Sequence, residues 1–200
     1  MTLCIRQYLR LKDRTMEKTM KKKVYWITET ALMLALLVAL QALTKPMGQL
    51  VTGSCVNTVL AVAVLVGGLS CGLTVALCSP MLAFLLGIAP QILTVPAIMV
   101  GNCVFVVVLA LLADKTGKNW VKQILAWLAA AVGKFAALYA IVVWLICGVL
   151  SDKLLTAGVM KAPMLKALPA TFSWPQLVTA LIGGAVALLI TPVLRKALRK

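Results

Sequence analysis

Lys134 is the residue whose setting most asks for an explanation. It lies ten residues into the apolar run Ile124–Leu150, which at about 1.5 Å of rise per residue puts it near the middle of a membrane-length helix. A lysine at that depth costs roughly 2.5–3.5 kcal/mol on insertion scales, so it faces a protein interior or a water-filled cavity. No acidic residue is placed at mid-depth to neutralise it; Glu29 falls near the N-terminal end of the first apolar run. Such a cation either takes an anionic ligand, for instance a solute carboxylate, or snorkels to the surface or bonds backbone carbonyls.

Asn57 and Asn102 are the next groups that need partners, one early in a second helix and one within a fourth. A buried amide must bond either a ligand or a neighbouring helix. Gln49, Thr52, Ser54 and Gln91 stand at helix ends and could form the polar mouth of a cavity, or be ordinary loop residues. Ala31, Ala35 and Ala39 recur every four residues, with Ala42 beside them. Small side chains at that spacing let another helix approach closely, inside the fold or from a second subunit.

Other chemistry is excluded. Histidine is absent, and the six cysteines show no Cys-x-x-Cys spacing. That leaves no zinc site, no Ser–His or Cys–His pair and no metal to expect. There is no phosphate-cradling Gly-Lys-Ser/Thr loop either. The reading is of a non-catalytic chain without a cofactor, whose energy source, if it moves a solute, lies on another chain.

The elements that must position these residues are membrane helices. Of 200 residues 62% are hydrophobic and 12% charged, with a mean hydropathy of +1.04. One soluble core cannot hide so much apolar surface. The net charge of +15 sits at the tails and in short joints, where lipid headgroups and topology use it. No basic stripe with interleaved aromatics suggests nucleic acid.

Five apolar blocks stand out: Ile27–Leu43, Cys55–Ile88, Gln91–Ala113, Ile124–Leu150 and Leu177–Leu194. About 20 residues make one crossing, so the second block is ambiguous by length. Arg6, Arg10, Lys12, Arg14, Lys18 and Lys21–Lys23 put the N-terminus inside, and Lys115, Lys118 and Lys122 do the same for the joint 114–122. An even number of crossings separates two inside points, so Cys55–Ile88 must cross twice and turn near Gly67-Gly68-Leu69-Ser70-Cys71-Gly72. Two further crossings bring Arg195, Lys196, Arg199 and Lys200 back inside.

The expected fold is therefore an all-α membrane protein of six transmembrane helices with both termini cytoplasmic. It divides into a basic tail 1–23, a six-helix domain 24–194 and a basic tail 195–200. Ile27 onward reads as a retained first helix rather than a signal peptide, and Met20 is an alternative start. The outer joints are 44–54, 88–96 and 151–172; their Pro and Gly favour irregular loops, and the longest could be a lid or a plain connector.

Taken together, residues 20–200 resemble the substrate-binding (S) component of energy-coupling factor transporters. The resemblance rests on the basic tail running into TETALMLALLVALQALT (28–44) with its Ala31-xxx-Ala35-xxx-Ala39. It rests also on the joint Gly67-Gly68…Gly72, on Ser79-Pro80…Gly87…Pro90, and on Val95-Pro96…Gly101-Asn102. It implies a cell-membrane subunit that captures a vitamin or related micronutrient from outside and delivers it by toppling against a transmembrane coupling (T) subunit driven by two cytosolic ATPase subunits. Ala31, Ala35 and Ala39 would meet the coupling subunit, and anionic lipids would meet the basic tails. The family's pocket lies toward the outer side, between helices four to six and the first outer loop. That makes Lys134, Asn102, Asn57, Gln49, Thr52 and Ser54 the candidate substrate-binding residues. Phe172, Trp174 and Trp144 are the few aromatics near that side, which argues against a sandwich for a flat heterocycle, and Lys134 argues for a carboxylate-bearing solute, for example pantothenate. The alternative is a self-sufficient secondary carrier or channel, which would need inverted repeats and coupling-ion groups that the sequence lacks.

Overall fold

A lipid-facing backbone must satisfy its own hydrogen bonds, and runs of apolar residues interrupted only by short joints do so as helices. The computed structural model describes residues 2–88, 91–114 and 119–198, with side chains from Met16 onward. These residues are helical without a strand. In order they form α1 (Thr2–Thr44), a 3-10 turn (Lys45–Met47), α2 (Gln49–Leu85), a second 3-10 turn (Ile92–Thr94) and α3 (Val95–Leu112). Then come α4 (Trp120–Leu138), continued by a π-helical stretch (Tyr139–Val149), and α5 (Ser151–Thr156), α6 (Ala162–Phe172) and α7 (Trp174–Leu198). Lys115, Lys118, Pro90, Arg199 and Lys200, with the basic side chains at 6, 10, 12 and 14, lie outside the described residues.

Five segments are long and apolar enough to cross a membrane: Met16–Met47, Gln49–Leu85, Ile92–Leu112, Trp120–Val149 and Ala162–Leu198. The second is not one rod. Gly68 has φ 85° and ψ 178°, a conformation open to glycine and costly for other residues. A side chain at Gly72 would collide with Val64, two residues that a straight helix would hold about 12 Å apart. The chain therefore reverses at Gly68, as the glycine-rich joint predicts.

Side-chain bonds mark the two ends. At one, Trp26 Nε1 donates to Ser70 Oγ at 3.1 Å, and Arg195 donates from Nε and Nη2 to Leu65 O at 3.2 and 2.6 Å. At the other, Lys45 Nζ donates to Gly87 O at 2.7 Å. Residues 26, 65–70 and 195 thus share one end, while 45 and 87 share the end about 29 Å further along α1.

Two expectations need correction. Helix two begins at Gln49, not Cys55, so Gln49, Thr52 and Ser54 belong to its first turns rather than to a loop. The 151–172 joint is not irregular, because it holds α5 and α6. Two of the prolines that suggested loops start helices instead: Pro96 and Pro163 occupy the first turns of α3 and α6, where a missing N–H leaves no hydrogen bond unmade.

The main core joins α1, both limbs of α2, α3, α4 and α7 around Leu37, Leu60, Val75, Phe105 and Ala180. A second cluster packs α6 onto the π-helical stretch through Val142, Ile146, Leu168 and Phe172. Outward-facing Leu85, Leu125, Leu189 and Val193 are exposed, a surface that suits lipid.

Contact between α4 and α7 depends on Gly184, where a Cβ would overlap the Trp127 indole. Trp127 Nε1 also donates to Ala180 O at 3.3 Å. Gly184→Ala is expected to cost about 1–3 kcal/mol by overpacking, read as a lower thermal unfolding midpoint in detergent. Trp127→Ala in the same chain should recover part of the loss; an unchanged midpoint for the single variant would contradict this packing.

Candidate functional site

Three helices meet around the Lys134 ammonium. Its Nζ donates to Asn57 Oδ1 on α2 at 2.6 Å and to Asn102 Oδ1 on α3 at 2.7 Å. It also stands 5.7 Å from the centroid of the Phe105 ring, within cation–π range. Lys134, Asn57 and Asn102 are 3%, 1% and 1% exposed, so the lysine neither snorkels nor relies on backbone carbonyls. Two neutral amide oxygens hold it instead. Asn57 passes the network on, its Nδ2 donating to Thr179 Oγ1 on α7 at 3.3 Å.

Above this cluster opens a cavity of about 340 Å³, at the low end of the roughly 300–1,000 Å³ usual for ligand sites. Lys134, Asn57 and Asn102 line its inner part, and α2 adds Gln49, Thr52 and Val56. Helical geometry explains that set, because positions 49, 52, 53, 56 and 57 recur at the spacing of one helix face. Ser54 falls off that face, and it does not line the cavity. Its hydroxyl donates to Leu50 O at 2.7 Å, and its carbonyl lies against Gly183 of α7.

Thr94, which caps α3, and Ile98 and Asn102 within it recur every four residues along the wall. The mouth carries Lys45, Gly87's neighbour Ile88, and Gln91. Across from them α6 contributes Leu168, Thr171 and Phe172, and α7 contributes Gln176. Of the three outer aromatics only Phe172 reaches the cavity; Trp144 and Trp174 are 66% and 70% exposed, and Trp174 stacks on Phe135 at 6.0 Å.

Several polar atoms here have no partner: Gln41 Oε1, Gln91 Oε1 and Asn102 Nδ2 are buried without a hydrogen bond. All three residues line the cavity. Orphaned buried polar atoms are uncommon in native proteins, and three of them on residues around one cavity make it the candidate site. Among the described residues no acidic side chain lines it, and no cluster of His, Cys, Asp or Glu could hold a metal.

Sequence reasoning missed Gln41, Thr94, Thr171 and Gln176. Gln41 carried the same signal as Asn57, a lone amide inside an apolar run. Thr171 and Gln176 were hidden because their segment reads as a connector. The Ala31, Ala35 and Ala39 side chains all face outward on α1, whereas Met33 and Leu37 between them are buried.

A bundle of apolar helices around a mainly apolar cavity with a few convergent polar side chains suits a membrane solute-binding subunit. The chain belongs to the substrate-specific components of ECF transporters, whose family profile matches residues 27–195. Neither a curated protein nor a solved structure matches it significantly. It is thus a multi-pass plasma-membrane transport subunit rather than a catalyst.

Proposed function

We propose that the chain captures a vitamin or related micronutrient from outside the cell in the Lys134 cavity and hands it to a transmembrane coupling subunit driven by two cytosolic ATPase subunits. The observation that carries this reading is the cavity itself, with a buried cation at its floor and orphaned amide atoms in its wall.

Six crossings with both termini cytoplasmic fit that role. The reversal at Gly68 divides α2 into two limbs of nearly membrane length. The end that carries Trp26, Ser70 and Arg195 is also the end rich in lysine and arginine, as expected of a cytoplasmic face in contact with anionic lipids. The cavity mouth, beside Lys45 and Gln91, lies at the opposite end.

The exposed Ala31, Ala35 and Ala39 give α1 a smooth outward stripe on which a partner helix can pack closely. Among the described residues no acidic side chain, the usual proton carrier of coupled transporters, lines the cavity.

The test is purification from native membranes with a C-terminal tag, followed by mass spectrometry of the bound proteins. A polytopic coupling subunit and two ATPases should be recovered. Ala35→Trp should cut their yield several-fold while the variant still elutes as folded, monodisperse protein. Folded wild-type chain that repeatedly emerges alone would sink the proposal.

A further inference from the structure

The ligand class is written in the floor of the cavity. Asn102 must turn its Oδ1 to Lys134, because an ammonium offers only donors. Its Nδ2 therefore points away from the lysine, buried and unpartnered. The O and N of one amide are about 2.3 Å apart. With Oδ1 at 2.7 Å from Nζ, Nδ2 stands within about 5 Å of the ammonium. Two donors at that separation, one of them charged, match the two oxygens of a carboxylate.

The rest of the cavity constrains the other end of the ligand. Gln41 Oε1 and Gln91 Oε1 are unpaired acceptors, which call for donors such as a hydroxyl or an amide N–H. The wall between floor and mouth is mainly aliphatic, with Val56, Ile98 and Leu168. Among the described lining residues only Phe172 offers a ring, which leaves no pair of aromatics there to sandwich a flat heterocycle.

We infer that the substrate is a small aliphatic monocarboxylate that also carries hydroxyl or amide N–H groups, its carboxylate held between Lys134 Nζ and Asn102 Nδ2. This rests on the capture role proposed above and adds the ligand's charge and orientation. Binding supplies the counter-charge that a buried ammonium with two neutral partners otherwise lacks, and it satisfies the orphaned amides together.

Fragments suffice to test it. Purified wild-type chain in detergent is titrated with lactate, N-acetylglycine and N-acetyl-β-alanine, and with the carboxamide of each, up to about 50 mM, since ligands this small bind weakly. Thermal unfolding and calorimetry read the binding. Carboxylates should bind about ten- to a hundredfold tighter than their carboxamides. Asn102→Asp, which puts an anion beside the site, should abolish the carboxylate preference; if it fails to fold, the wild-type comparison still decides. Carboxamides binding as well as carboxylates, or no carboxylate binding at all, would overturn the inference. Recovery of the coupling subunit and ATPases in that case would leave the capture role standing, so the two failures are distinguishable.

Discussion

Lys134→Met is expected to lower substrate affinity by about ten- to a hundredfold, because a hydrogen bond to a charged group contributes roughly 1.5–3 kcal/mol and each 1.4 kcal/mol is tenfold. The loss should appear both in calorimetric binding to the purified chain and in cellular uptake. Its effect on the fold should be smaller. Methionine has similar length and adapts to irregular space, and it removes a charge that costs about 2.5–3.5 kcal/mol to place at mid-membrane. Against that gain, Asn57 Oδ1 and Asn102 Oδ1 lose their shared donor. A variant that binds substrate as tightly as wild type would remove Lys134 from the site.

Asn57→Leu is expected to act in the opposite sense, harming stability more than any other change around the cavity. It strips the ammonium of the partner at 2.6 Å and takes the Nδ2 donor from Thr179. Leaving a buried charge short of a partner costs about 1–3 kcal/mol or more. The penalty belongs to the lysine, so Lys134→Met should relieve much of it. The double variant should be more stable than the sum of the two single changes predicts, with a coupling energy of about 1–3 kcal/mol. Unfolding in detergent of all four members of the cycle measures it, and strict additivity would mean that the two side chains do not interact as described.

Much of this was legible because lipid makes sequence blunt. Charge must be explained wherever it enters an apolar run, which singled out Lys134, and buried amides must find partners, which singled out Asn57 and Asn102. Nothing in the sequence said that the three would find one another, since they are 32 and 77 positions apart from the lysine. The reversal at Gly68 followed from charge parity and a glycine-rich joint.

The misreadings share a physical cause. Gln49, Thr52 and Ser54 are polar, so the apolar block seemed to start at Cys55, yet a helix lining a cavity keeps its polar residues on one face. Starting α2 at Gln49 puts Gln49, Thr52 and Asn57 on that face and turns Ser54 toward α7. Likewise Pro163 and Pro175 looked like loop markers although proline suits a helix's first turn. That hid α6 with Thr171 and the first turn of α7 with Gln176, both on the cavity's far wall.

The most direct measurement is of what the native protein holds. Wild-type chain and Lys134→Met, tagged at the C-terminus and purified with their partners from native membranes, are denatured and the released small molecules identified by mass spectrometry. Wild type should release one carboxylate-bearing compound in near-stoichiometric amount, and the variant almost none. A neutral compound from wild type alone would overturn the carboxylate assignment but leave capture standing; equal recovery from both chains would contradict substrate capture by the Lys134 cavity.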